Sequence, residues 1–173
     1  MRQVILNVAV SLDGFIEGPN GEYDWCFTDQ DYGMREFMKR TDAIFFGRKS
    51  YDVIVRTEKN PYPKKKKYVF SKTLKTVGDS AQVIGKDFVK EVKEIKSGPG
   101  KDIWLFGGAS LTTSLLNAGL VDELQLSIHP ILLGKGKPLF KEIHSRMKFT
   151  LVDTKTYSTG LVQLFYRRVD TPR

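Results

Sequence analysis

Apolar residues fall along this chain in short bursts, and the spacing inside each burst predicts an element. From Val4 to Val10 every position but Asn7 is apolar, and Asp13-Gly14 follows, which predicts a strand buried on both faces and ending in a turn. Such a strand belongs in the middle of a sheet. Between Asp29 and Arg40 the residues Tyr32, Met34, Phe37 and Met38 recur at helical spacing, and Asp42 to Gly47 then reads as a second buried strand. Lys67 to Ser71 is strand-like, and Ala81 to Ile84 is a shorter apolar piece after a turn at Gly78-Asp79. Phe88, Val92 and Ile95 share one helical face, Lys90, Lys93, Glu94 and Lys96 take the others, and Ser97-Gly98-Pro99-Gly100 stops the helix. Asp102 to Phe106 is a further buried strand. Leu111, Leu115 and Leu116 mark a helix after Gly107-Gly108, and Asp122 to His129 returns as a strand in which Leu124, Leu126 and Ile128 alternate.

This alternation of strand and helix implies parallel strands joined by right-handed helical crossovers. The last third changes character. Phe149 to Val152 and Leu161 to Tyr166 flank Tyr157-Ser158-Thr159-Gly160, with no helix-forming segment between them, so an antiparallel pair should finish the sheet at its edge. No internal repeat or low-complexity linker interrupts the chain, and its length suits one domain spanning 1–173.

Composition narrows the function. Lys and Arg number 28 against 20 Asp and Glu, a formal charge of +8 that favours anionic ligands. Forty per cent hydrophobic residues provide an ordinary core and exclude a disordered basic tail. The lysine run Lys64 to Lys67 reads as a solvated loop entering a strand, and without interleaved aromatic and basic positions it does not predict nucleic-acid binding. Cys26 is the sole cysteine, which excludes an internal disulfide, and His129 and His144 lack metal-site spacing. His129 is expected to serve structure and His144 to face solvent. The apolar start lacks a cleavage-site pattern and no apolar run reaches the ~18 residues that cross a bilayer, so the expectation is a soluble cytoplasmic protein. A Gly-x-Ser-x-Gly hydrolase elbow is absent, as is the G-x-G-x-x-G of an ordinary dinucleotide fold.

In open α/β sheets, ligands bind beyond the carboxyl ends of strands, where helix N-termini offer N–H groups to anions. Three segments occupy that position. Phe46-Gly47-Arg48-Lys49-Ser50 ends a strand in glycine and starts a helix with two cations and a hydroxyl. Phe70-Ser71-Lys72-Thr73 places hydroxyl, cation and hydroxyl at a strand end. Phe106-Gly107-Gly108-Ala109-Ser110 lets a backbone approach a pyrophosphate closely. Any one of them is a weak signal, because glycine at a strand end is usually a turn. Together they would cradle a dinucleotide carrying an extra phosphate.

The stretches AVSLDGFIEGPNGEYDW, FFGRKSYDVI, VFSKTL, WLFGGASL and PILLGKGKPLF resemble the dihydrofolate-reductase-like superfamily over nearly the whole chain. Within it they resemble the branch of the reductase domain of the bifunctional riboflavin-biosynthesis deaminase/reductase. The resemblance implies a three-layer α/β/α fold with a mostly parallel twisted sheet and a C-terminal antiparallel strand pair. It also implies NADPH lying across that sheet and hydride transfer to a pterin, pyrimidine or flavin precursor, as in 5-amino-6-(5-phosphoribosylamino)uracil reductases. By similarity Gly47, Arg48, Lys49 and Ser50 would bind the adenosine end, Ser71 and Lys72 the 2′-phosphate, and Gly107 and Gly108, with Ala109 and Ser110, the pyrophosphate. Ala9 and Val10 would floor the nicotinamide. Asn20 to Trp25 resembles the mobile loop over it, hinged at Gly18 and Gly21, with Trp25 near the substrate. Relatives in this branch are commonly dimers, so a homodimer is expected.

Hydride reduction of a C=N or C=O bond also needs a proton. Asp31 stands sixteen residues before Gly47, the spacing at which the family's carboxylate opens the first helix, and this makes it the candidate donor. The competing role is a helix cap. Asp13 is the second candidate, its competing role a turn stabilised by its side chain. One departure concerns the substrate: Phe106 stands where riboflavin-pathway reductases generally carry glutamate. An aromatic face there favours stacking over hydrogen bonds to a pyrimidine. The rival from another class is a non-catalytic NADP-binding or ligand-sensing protein on the same fold.

Overall fold

The computed structural model of the protein describes residues 1–57, 61–77 and 81–169. The turn expected at Gly78-Asp79 lies outside them. Six strands, β1 (Val4–Ser11), β3 (Thr41–Gly47), β4 (Lys66–Phe70), β5 (Ala81–Ile84), β6 (Asp102–Gly107) and β7 (Glu123–His129), run parallel. They join β9 (Phe149–Thr156) and β10 (Val162–Arg168) in one eight-stranded sheet of order β5-β4-β3-β6-β1-β7-β10-β9. β10 is antiparallel to both its neighbours, and β9 forms the outer edge. A short ladder of β2 (Phe15–Glu17) with β8 (Lys137–Pro138), which periodicity does not reveal, caps the end of β1.

Each face of the sheet carries helices and its own core, as the crossovers require. Helices α1 (Met34–Arg40) and α2 (Arg48–Thr57) cover one face, where Phe37 and Tyr51 meet Ile5, Ile44, Phe46, Val69 and Trp104. Helices α3 (Phe88–Ser97) and α4 (Ala109–Asn117) cover the other, where Val92, Leu111 and Leu115 meet Leu6, Phe45, Ile103 and Leu126. The three-layer α/β/α architecture is the expected one. One helix is shorter than its periodicity: the pattern starts at Asp29, but Tyr32 (φ 46°) and Gly33 (φ 78°) take left-handed backbone, so α1 begins at Met34.

Charge pairs bind the opposite end of the sheet. Arg2 reaches Asp42, the buried Lys96 ammonium lies 2.6 Å from Asp122, and Arg40 bridges Asp102 (2.7 Å) and Glu123 (2.8 Å). These partners flank the amino ends of β1, β3, β6 and β7, away from the glycines that end β3 and β6. The lysine run differs from its expected solvated state. The Lys65 ammonium donates to the Met38 and Thr41 carbonyls (2.8 and 2.6 Å), and Lys67, 5% exposed, donates to the Tyr62 carbonyl. Burial holds both amines below the ordinary lysine range. Two of the four charges therefore secure the loop before β4.

Candidate functional site

β3 and β6 are neighbours, and each ends in glycine where a helix starts. The backbones approach so closely there that a Cβ on Gly47 would lie 3.3 Å from the Gly107 carbonyl oxygen and 3.7 Å from the Gly108 nitrogen. Ser50, in the first turn of α2, accepts the Gly108 N–H at 3.1 Å. This bond clamps the start of α2 to the start of α4. Gly107 has φ +100°, a backbone that side chains rarely adopt, and the Gly107–Gly108 peptide is cis. The two helix N-termini thus flank one glycine-lined mouth, and the tertiary structure brings two of the three sequence segments together.

Arg48, half-exposed at this mouth, pairs with Asp52 at 2.7 Å, one helical turn on, and Lys49 is exposed beside it. Ser71 follows β4, the next strand along. Its hydroxyl accepts the Thr73 and Leu74 N–H groups (3.3 and 3.0 Å), shaping a turn that leaves Lys72 exposed. Ala109 is buried at the start of α4 and Ser110 is exposed. A cavity of about 1050 Å³ on the outer side of α4 reaches these two residues and also Thr113, Glu17, Gly18 and Lys137. It does not include Gly47, Arg48 or Ser71.

On β1 the structure separates Ala9 from Val10. Side chains alternate across a strand, so Val10, 4% exposed, is packed into the core under α3 and α4. As nicotinamide floor Val10 can contribute main chain only, whereas Ala9 faces the α1 side. There the register sets Ala9, Ser127 and Gln163 in a row across β1, β7 and β10. The row is polar and organised. Gln163 Nε2 donates to the Tyr32 carbonyl (2.9 Å) and to Ser127 Oγ (3.1 Å), and the Tyr157 hydroxyl donates to Gln163 Oε1 (2.9 Å). Asn7 and Gln125 pair across the same face at 3.4 Å, and Tyr32 and Tyr157 meet edge to face at 4.8 Å. None of Asn7, Gln125, Ser127, Tyr157 and Gln163 was singled out by motif.

Residues 18–33 span the space between β2 and α1. Gly18 and Gly21, the expected hinges, form a closed turn: Gly18 N–H donates to the Glu22 carbonyl (2.8 Å) and Gly21 N–H to the Gly18 carbonyl (3.1 Å). Trp25 then packs edge-on against His129, its ring centroid 5.3 Å away, and its indole N–H is buried with no acceptor among the described residues. Such a group normally finds a partner. Cys26 follows, its thiol pushed up to about 11 by burial and by Asp24. Phe106 lies half-buried between Phe46 and Trp104, with ring centroids 4.9 and 5.0 Å away, on the same face of the sheet as Ala9.

Of the two carboxylates, Asp31 accepts the Arg35 N–H (3.2 and 3.3 Å) and lies 3.6 Å from the Arg35 guanidinium. It caps α1 while remaining substantially exposed. It also faces Tyr157, whose hydroxyl is pushed above the usual range, first by burial and then by the charge of Asp31. Asp13 accepts the Ser11 hydroxyl (2.5 Å) and the Leu133 and Gly134 N–H groups (3.2 and 2.7 Å). The Ser11 bond leads in holding its carboxyl below the usual value, so it stands ionised and fastens the glycine-rich loop to β1.

A central β1 flanked by β6 and β7, helices on both faces and an antiparallel finish define a dihydrofolate-reductase-like α/β protein. Dihydrofolate reductase from Enterococcus faecalis, solved in complex with NADP(H) and RAB-propyl, superposes with a TM-score of 0.71 at 17% identity over 97% of each chain. Residues 2–163 match the RibD C-terminal domain family, and the chain belongs to that family. It is 48% identical to the uncharacterized protein YyaP of Bacillus subtilis (strain 168), over 95% of this chain and 94% of that protein. A candidate riboflavin biosynthesis protein from Shewanella sp. PV-4 shares 27% identity with a TM-score of 0.87, covering 98% of this chain and all of that one. The diaminohydroxyphosphoribosylaminopyrimidine deaminase/5-amino-6-(5-phosphoribosylamino)uracil reductase of Thermotoga maritima is similar at 16% identity and TM-score 0.71. The match covers 97% of this chain and 57% of the bifunctional one. The protein therefore has a riboflavin-pathway reductase-like, oxidoreductase-like fold. Among the described residues no helix is long and apolar enough to cross a membrane.

Proposed function

We infer that the protein is an NADPH-dependent reductase that transfers hydride to a small polar heterocycle of the pterin, pyrimidine or flavin-precursor class. The observation that carries this reading is the clamped mouth at Gly47, Ser50, Gly107 and Gly108. Two helix N-termini meet there with backbones packed so closely that a Cβ on Gly47 would be crowded, and their N–H groups together offer the positive charge that a pyrophosphate needs. The group fits these residues. Arg48, Lys49, Ser71 and Lys72 would hold its adenosine and 2′-phosphate end, and Ala9 its ring. When bound, NADPH supplies the hydride.

The chain's own residues do the remainder. The row of Ala9, Ser127 and Gln163 offers a flat floor, with Trp25 and Phe106 as aromatic walls. A carbonyl or ring nitrogen of the heterocycle would accept the buried Trp25 N–H and so satisfy it. Asp31, beside Tyr157, would hold an ordered water and pass on the proton it takes up from solvent to the reduced atom, and Asp13 keeps the neighbouring loop in place.

Titration with NADPH and NADH, followed by nicotinamide fluorescence and thermal shift, tests the reading. NADPH should bind the more tightly, and Arg48→Ala should cost NADPH about tenfold while changing NADH much less. Asp31→Asn should lower turnover of a reducible heterocycle by about 10² while leaving NADPH affinity unchanged. Equal losses for both nucleotides would remove Arg48 from the phosphate site, and unchanged turnover would remove Asp31 from proton delivery. Binding of neither nucleotide would overturn the reductase itself.

A further inference from the structure

His129 ends β7 and is 3% exposed. The Ser127 carbonyl lies 3.0 Å from Nδ1 and can only accept, so that nitrogen carries the hydrogen. The Phe27 N–H lies 3.1 Å from Nε2 and can only donate, so that nitrogen must be bare. Two backbone groups thus demand one tautomer and a neutral ring. The same ring is the seat for the side chains of the crossing segment, Trp25 edge-on at 5.3 Å and Phe27 tilted at 5.0 Å. The far end of residues 18–33 is held separately, by Gln163 and Thr159 on Tyr32. His129 is its mid-point anchor.

We propose that His129 is a positioning residue: its neutral imidazole fastens residues 25–27 over the floor of the site by accepting the Phe27 N–H, and a proton on Nε2 releases them. A protonated ring would set a donor against a donor at 3.1 Å, and nothing nearby compensates. The titratable groups on the crossing segment nearest in sequence to Phe27 are Asp24, Cys26, Asp29 and Tyr32, and Asp29 accepts the Tyr32 hydroxyl. From the β1 turn comes Asp13, spent on Ser11, Leu133 and Gly134. β10 presents neutral Gln163. No carboxylate among the described residues forms an ion pair with the imidazole. Burial holds the ring below the ordinary histidine value. The closed segment is therefore fully favoured above about pH 7.5 and loses ground as pH falls through about 6.5, where the released ring takes its proton.

The consequence for ligand rests on the reductase reading, because Trp25 is then part of the wall over the heterocycle; the latch itself does not. The test uses the full chain labelled with 5-fluorotryptophan and followed by ¹⁹F NMR between pH 8 and 5, with the Trp25 signal assigned through Trp25→Phe. The Trp25 signal should move in one titration with a midpoint below 6.5, while Trp104, in the core, stays fixed. His129→Phe keeps a ring and removes the acceptor. It should leave Trp25 at the acid position at every pH. His129→Gln, which offers an oxygen acceptor and does not titrate, should restore a closed and pH-independent signal. A flat wild-type Trp25 signal, or a His129→Phe signal identical to the wild type, overturns the proposal. If His129→Phe does not fold, the wild-type titration decides alone. NADPH added at pH 8 separates the two readings: no binding with a titrating Trp25 removes the reductase and keeps the latch, and binding with a flat Trp25 does the reverse.

Discussion

Gly47→Val is expected to weaken NADPH binding by about 10–100-fold with the fold retained. A Cβ alone at this position meets the Gly107 carbonyl oxygen at 3.3 Å, and Leu111 Cβ waits at 3.7 Å. The two further methyl groups of valine have nowhere to go without parting β3 from β6. Overpacking of this kind costs about 1–3 kcal/mol of stability, and affinity falls because relief of the clash respaces the two helix starts that the nucleotide would use. Each 1.4 kcal/mol is a factor of ten in affinity. Gly47→Ala, which adds only the crowded Cβ, should give a smaller loss in the same direction. The measurement is a fluorescence titration of each variant, with the far-ultraviolet circular dichroism unchanged as the control. Wild-type affinity in Gly47→Val would mean that the nucleotide does not use this mouth.

Phe45→Ala should cost about 3–5 kcal/mol of stability, the usual loss for a large buried aromatic side chain. Phe45 is fully buried at the centre of β3, and its ring meets Tyr68 (5.6 Å, 88°) and Phe70 (5.1 Å, 67°) edge to face. β4 holds both neighbours in register with β3, and β6 pins β3 from the other side, so the cavity has little freedom to collapse. Urea unfolding should show the midpoint falling with an unchanged slope. A loss under about 1 kcal/mol would show instead that helices α3 and α4 move in to fill the space. Activity per folded molecule should persist, since Phe45 faces away from the polar row.

Much of this was legible in the chain. The continuous apolar run of β1 placed it in mid-sheet, and the hairpin signal placed the antiparallel pair at the edge, because burial and pleat periodicity are local properties. The glycine-ended strands pointed to the mouth for the same reason. The polar row on the α1 face was less visible, although it left a trace. Asn7 is the one polar residue between Val4 and Val10, in a strand buried on both faces, and Gln125 and Ser127 alternate with leucines and an isoleucine. A polar side chain in such a place has to be satisfied, and it marks either a network or a ligand.

What the sequence by itself determined is the class: a mostly parallel α/β sheet with helices on both faces, a basic chain, and glycine- and cation-bearing segments at strand ends. Periodicity, composition and turn chemistry act over a few residues and need no knowledge of what lies opposite. Only the tertiary structure decided the partners. It set Gly47 against Gly107, tied Ser50 to Gly108, turned Val10 into the far core while Ala9 stayed on the site face, and laid Ala9, Ser127 and Gln163 in one row. It spent Asp13 on a loop, put Asp31 at a helix start, and seated Trp25 and Phe27 on His129. Strand order and register bring residues more than a hundred positions apart to within hydrogen-bond distance, and no local pattern encodes which donor will find which acceptor.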